Sequence, residues 1–228
     1  MLILAMDSSA KPASVAVCND EVLLGQYFQN SGHTHSRTLL VMAEDLLKNL
    51  GLTISDIELF AVSNGPGSFT GVRIGVSAAK GLAWGADKPV CGVSTLEAMA
   101  YQTPVSEVIL CPVMDARRSQ VYNALLEWRD EGLTRLCKDR AISLEDLADE
   151  LKSKNAPVYL VGDGASLAFD FLISANINCR LAPPLMRYQT AYGVALASMS
   201  ADHIRAIDLE PMYLRPSQAE RERSAKMV

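Results

Sequence analysis

Three patterns are missing from this 228-residue chain, and each absence excludes a class of protein. Paired cysteines are missing. The five that occur (Cys18, Cys91, Cys111, Cys137, Cys179) are odd in number, scattered and never spaced as C-x-x-C, which argues against a disulfide framework or a zinc knot and makes them reduced core thiols. An excess of positive charge is missing as well. With 21 Lys and Arg against 26 Asp and Glu, the net charge of -5 repels polyanions, so tight autonomous binding of nucleic acid is not expected and a role near RNA would need a basic partner. Long apolar runs are the third absence. "MLILAMDSS" has no basic leader and its apolar run stops at Asp7, so a signal peptide and a membrane span are not expected, and the address is read as cytoplasmic.

About half of the residues are apolar and only 6% are aromatic, enough to bury one large core or two small ones. The opening gives an apolar run, a polar loop, and two alternating runs separated by Asn19-Asp20, which is a strand followed by a hairpin. Leu39, Leu40, Ala43, Leu46, Leu47 and Leu50 recur at three and four over residues 36 to 50, the stripe of an amphipathic helix that Gly51 ends. Then come a strand at 57 to 62, a glycine turn, a helix at 71 to 85, a strand at 89 to 93, and a helix opened by the Ser94/Glu97 capping box. The second half repeats the order: "EVILCPVMDARRSQVYNALLEW" is strand, aspartate, polar turn and alternating strand, so that Asp115 answers Asp7. Ser143 with Asp146 caps a further helix, "PVYLVG" is a strand, "GDGASLAFDFLI" a turn and helix, Pro183-Pro184 a surface connection, and residues 189 to 203 a last helix.

Strand, hairpin, helix, strand, helix, strand, helix, followed by a shorter copy, is the duplicated α/β layout of actin, the sugar kinases and the Hsp70 ATPases. The expected architecture is therefore two lobes, residues 1–103 and a reduced second lobe at 104–228, with the two aspartate turns facing each other across a cleft. The phosphate chemistry of such ATPases is not legible. "DSSAKP" has no glycine and brings Pro12, which has no N–H to donate, and "DARRSQ" fills the equivalent turn with two arginines. Asp7 and Asp115 could hold a magnesium ion, but an aspartate after a strand more often accepts local backbone hydrogen bonds, and that structural role is the expectation. The loop "SNGPGSFTGVRIGVSAAKG" at 63 to 81 is no Walker loop, because Val72 and Arg73 follow Gly71 where Lys and Ser/Thr are needed, and its glycines miss the dinucleotide spacing. "GDGAS" at 162 to 166 reads as a plain turn, and His33 with His35, two apart at a helix start, as a solvated start or a partner contact. His203 is placed in the last helix without partners. Past the glycine loop, Gly71, Gly75, Ala78, Ala79, Ala83 and Ala86 make one helix side nearly flat, expected to be an association surface with Arg73 near the loop.

"GPGSFTGVRIGVSAAKGLA", with "ILAMDSS", "HSRTLL", "VMDARRSQVY" and "EPMYLR", resembles the TsaB (YeaZ) family along nearly the whole chain. The resemblance implies an actin-like fold and a shortened, catalytically silent paralogue of TsaD, the subunit that transfers a threonylcarbamoyl group to an adenosine of tRNA. It implies a non-catalytic scaffold with no cofactor. No metal is implied either, since the H-x-x-x-H pair of TsaD proteins does not occur here. The implied partners are a TsaD-type paralogue, a TsaE-type ATPase and, when TsaD is absent, a second copy, with tRNA reached only indirectly. The expected interface lies on the first-lobe helices, at His35, Arg37 and Val41 on one and Gly71, Gly75, Ala78 and Ala79 on the other. A small-molecule kinase or ATPase of the same fold is the alternative, and a metallopeptidase the third reading. "RPSQAERERSAK" at the C-terminus reads as a solvated tail.

Overall fold

The protein is described from a computed structural model that covers residues 1–117 and 119–215; Arg118 and residues 216–228, which include all of the expected tail but Arg215, lie outside the described residues. Period-two alternation decides the first sheet. In β1 (Leu2–Asp7) the side chains of Leu4 and Met6 enter one apolar cluster, while Ile3 and Ala5 enter another on the opposite face. A strand buried on both faces must sit in mid-sheet. Accordingly β1 pairs antiparallel with β2 (Ala13–Asn19) and parallel with β4 (Leu59–Gly65). The hairpin partner β3 (Val22–Gln29) and the parallel β5 (Val90–Ser94) close the order β3-β2-β1-β4-β5.

The second sheet repeats this plan. Its core order is β10-β7-β6-β11-β12, with β6 (Ile109–Asp115) in the place of β1. Here β6 is antiparallel to β7 (Gln120–Asn123) and parallel to β11 (Val158–Val161), as β1 is to β2 and β4. The edges are β10 (Arg140–Ser143) and β12 (Cys179–Leu181), and a hairpin of β8 (Leu126–Arg129) and β9 (Gly132–Arg135) is added through β8 to β6. The repeat read from the order of elements is a repeat of strand order and direction. The alternating stretch read on to Trp128 is divided into β7 and β8, and the strands β9, β10 and β12, three or four residues each, are additions to the sequence reading.

Helices α1 (His35–Asn49) and α2 (Phe69–Ala86) cover one face of the first sheet, while α4 (Leu144–Lys154) and α5 (Ala165–Ser174) cover one face of the second. Between the sheets lie α3 (Thr95–Tyr101) and α7 (Ala191–Ser198), with the single turn α6 (Pro184–Arg187) leading into α7. Ala98 of α3 faces the first sheet, and Leu96, Met99 and Ala100 join the cluster of the second.

Two expectations are corrected by this packing. First, residues 104–228 do not all belong to the second lobe: α7 packs on β1 and β2, and the segment after it crosses the first lobe, where Ile204 bridges Val90 and Lys80 Nζ donates to the carbonyls of Ile207 and Leu209. α7 also ends at Ser198, before His203, whose Nε2 meets the Ser198 carbonyl at 3.0 Å. Its closeness to α3 is what the helix sequence encodes, because a Cβ on Gly193 would stand 2.2 Å from the Ala98 carbonyl oxygen.

Second, the small-residue face of α2 is not on the surface. Gly71, Gly75 and Ala79 are buried against the first sheet: a Cβ on Gly71 would lie 2.1 Å from Ser8 O, one on Gly75 would lie 3.2 Å from Val62, and Ala79 is in the core with Val62 and Val76. Of the small-residue face only Ala78 and Ala86 are half-buried. The flat face lets the helix lie close to its own sheet.

This packing makes two glycines of one helix behave oppositely. Gly71→Ala should lower the melting temperature, through a clash that only backbone movement relieves. Gly81→Ala, where nothing stands within 4 Å, should raise stability by roughly 0.5–1 kcal/mol through helix propensity alone. Ala79→Leu belongs with the first, at about 1–3 kcal/mol of overpacking. Thermal and urea melts of the three variants check this.

Candidate functional site: the cleft between the sheets

The C-terminal ends of β1 and β6 open on a cavity of about 790 Å³ lined by both strand–turn units, the loop before α1, the glycine loop and the segment 212–215. Asp7, ending β1, is fully buried and its acceptors are taken. Oδ1 receives the Ser9 N–H at 2.9 Å and the Ser9 hydroxyl at 2.8 Å, and Oδ2 receives the Ser63 hydroxyl. Burial pushes its carboxyl above the usual range, against the pull of those three hydrogen bonds. Asp115, ending β6, is exposed and accepts the Arg117 N–H at 2.7 Å. Both aspartates thus fold their own turns.

The glycine loop is occupied by the chain itself. A Cβ on Gly67 would stand 2.3 Å from Ser9 O, and one on Gly65, at φ 134°, would stand 2.1 Å from Met212 O. Ser68 donates its N–H to Ser9 O at 2.6 Å, and the Ser8 hydroxyl donates to Gly71 O at 2.9 Å. Ser68 caps α2 through the Gly71 N–H. The glycines are therefore required by close approach of the β1–β2 turn on one side and of the segment 210–213 on the other.

In the second lobe, Gly162 N–H donates to Arg187 O at 2.6 Å and Gly164 N–H to Val113 O at 3.0 Å, so the Gly-Asp-Gly turn fastens α5 to β6. Between them Asp163 points its buried Oδ1 at no partner. Burial first, and then the charges of Asp115 and Asp7, push this carboxyl up to about 6. His35 spans from α1 to the β1–β2 turn, its Nε2 2.8 Å from Ala10 O, while His33 beside it is exposed. Among the described residues no group of three or more His, Cys, Asp or Glu is placed to hold a metal ion, and no helix is long and apolar enough to cross a membrane.

The sequence reading missed the part played by residues 210–215. Asn64 pairs with this segment through Met212 N–H to Asn64 O at 2.6 Å, and Arg73 stacks over Phe69 at 3.8 Å while its Nε donates to the Tyr213 hydroxyl at 2.7 Å. Arg215 then crosses to the second lobe and donates to Ala116 O and the Gln120 side chain. The segment straps the lobes together at the cleft. Of the expected interface residues, Arg37 and Val41 stand on the outer face of α1, where Val41 is 53% and its neighbour Leu40 48% exposed.

Asp163 gives a pH signature. Its folded pKa of about 6 lies above the 3.8 of an unperturbed carboxyl, so between these values the folded state holds the extra proton and stability falls as pH rises. Asp163→Asn should match the parent near pH 4 and exceed it above pH 7, by about 3 kcal/mol at most. Urea unfolding at the two pH values measures the difference.

A family model described as TsaD, tRNA N6-adenosine threonylcarbamoyltransferase, matches residues 28–197. The chain is 35% identical over 167 residues to the tRNA threonylcarbamoyladenosine biosynthesis protein TsaB of Bacillus subtilis, covering 73% of each. It is 29% identical over 233 residues to that of Haemophilus influenzae, covering 94% of each. Among solved structures, YeaZ from Pseudomonas aeruginosa is similar at TM-score 0.78 and 26% identity, over 93% of this chain and 99% of that one. A ROK hexokinase from Thermus thermophilus, at TM-score 0.51 and 13% identity over 88% of this chain and 98% of that one, shares the fold alone. Sequence, strand order and structural likeness converge: this chain belongs to the TsaB (YeaZ) family, on an actin-like duplicated fold, and its relatives are proteins of tRNA threonylcarbamoyladenosine biosynthesis.

Proposed function

We propose that this protein is the non-catalytic scaffold of a tRNA threonylcarbamoylation complex, acting in the cytoplasm by docking a TsaD-type paralogue and a TsaE-type ATPase. The observation that carries the reading is the engaged β1–β2 turn. Ser8 and Ser9 present carbonyl oxygens to the glycine loop, at the place where a phosphate would need N–H donors, and the Asp7 carboxylate is spent on Ser9 and Ser63. The Ser9 N–H is taken by Asp7 and Pro12 has none, so this turn offers fewer donors than a triphosphate needs. The small-molecule kinase alternative needs that turn to hold Mg-ATP. With Mg-ATP, the purified protein should release no phosphate above a protein-free control and show no magnesium-dependent heat in calorimetry; either signal, lost on Asp7→Ala, would favour the kinase.

The docking face is the outer side of α1, with Arg37, Leu40 and Val41 exposed and His35 anchoring its start to Ala10. Two adjacent apolar side chains held out on a helix ringed by Arg37, Glu44 and Asp45 are a contact surface in search of a second helix. A second copy takes this face when the paralogue is absent. tRNA reaches the complex through the partner, in keeping with the charge of -5. Val41→Glu should weaken capture of the TsaD-type subunit by at least about tenfold and leave the melting temperature unchanged. Pull-down and light scattering read the complex, and a lowered melt with an intact complex would place the interface elsewhere.

A further inference from the structure

Three cationic side chains converge on the cleft. Lys11 of the β1–β2 turn, Arg117 of the β6–β7 turn and Arg215 of the strap line one cavity from three separate segments, in a chain of net charge -5. Among the described residues none of the three is ion-paired. Arg215 is held by neutral acceptors, and Arg117 is exposed at the tip of the β6–β7 turn. Two acids also line the cavity. Asp115 has one oxygen engaged by the Arg117 N–H, and Asp163 keeps a buried oxygen with no partner. A buried acceptor left without a donor is costly, and a ligand hydroxyl would relieve it. The cavity volume of about 790 Å³ suits a small molecule.

We propose that the interlobe cleft binds a small phosphate monoester bearing free hydroxyls, its phosphate held by Lys11, Arg117 and Arg215 and a hydroxyl donating to Asp163. The site is metal-free. It differs from a Mg-triphosphate site in using side-chain cations at the rim, since the Ser9 and Arg117 N–H groups are taken by Asp7 and Asp115 and Pro12 has none. A sugar phosphate and a nucleoside monophosphate share this chemistry. The proposal does not depend on the docking reading, because the outer face of α1 is not part of the cavity lining.

Calorimetric titration of the full-length protein with inorganic phosphate, ribose 5-phosphate and adenosine 5′-monophosphate, in metal-chelated buffer of fixed ionic strength, tests it. Ribose 5-phosphate should bind with a Kd below about 1 mM and about tenfold tighter than inorganic phosphate. A gain with the mononucleotide assigns the site to nucleotides, and a loss assigns it to sugar phosphates. Lys11→Gln with Arg117→Gln, both exposed and so neutral for folding, should weaken every ligand by about tenfold or more, and Asp163→Ala should abolish the preference for ribose 5-phosphate. The parent's affinity should also fall with added salt. Absence of saturable heat with all three ligands, or an affinity unchanged in the double variant with an unaltered melt, would overturn the proposal while leaving partner capture as it was.

Discussion

The contact between the β1–β2 turn and the glycine loop is the constraint on which the first lobe depends. Asp7 at the end of β1 is buried with every acceptor engaged, Ser8 and Ser9 then turn their carbonyl oxygens outward, and only glycine at 67 and 71 leaves room for them. From this follow the angle between β4 and α2, the inward direction of the small-residue face, and the position of the strap at Gly65. A single serine-rich turn thereby fixes strand, helix and strap together. The cost is a buried carboxyl whose pKa is raised, borne by hydrogen bonds from two serines.

The proposed scaffold role rests on the same contact. A phosphate-binding turn must offer N–H groups to the cleft, and here the Ser9 N–H is taken by Asp7 and Pro12 has none to offer. On the proposed reading function lies on two surfaces: the outer face of α1, where Leu40 and Val41 stand exposed, and the cationic rim of the cleft. His35 touches both, since it begins α1 and reaches the turn at Ala10. The strap adds a second tie, running from α2 through Arg73 and Tyr213 to Arg215 on the other lobe.

Much of this was legible in the sequence where period and burial agree. β1, β2 and β4 alternate or are apolar throughout, α1 carries a clean stripe, and Ser94 and Ser143 cap helices as read. What escaped has physical causes. β9 and β10 are four-residue strands half-exposed along their length, so no alternation marks them. α7 is small and apolar on all sides because it is sandwiched between α3 and the first sheet, and an all-round apolar helix names no neighbour. A flat glycine–alanine face is equally consistent with a partner helix and with the chain's own sheet; the distances at Gly71 and Gly75 decide for the sheet. The unpartnered Asp163 oxygen and the three cleft cations have no local sequence signature, because tertiary structure alone brings them together.

The central claim is that the aspartates of the two strand–turn units serve structure and not chemistry. Its most direct measurement is threonylcarbamoyladenosine formation on tRNA by the reconstituted complex, with this subunit supplied as parent or as the Asp7→Asn/Asp115→Asn double variant. The account predicts equal rates once both subunits are shown by melting to be folded and by pull-down to be bound. A folded, bound double variant that no longer supports the reaction would contradict it.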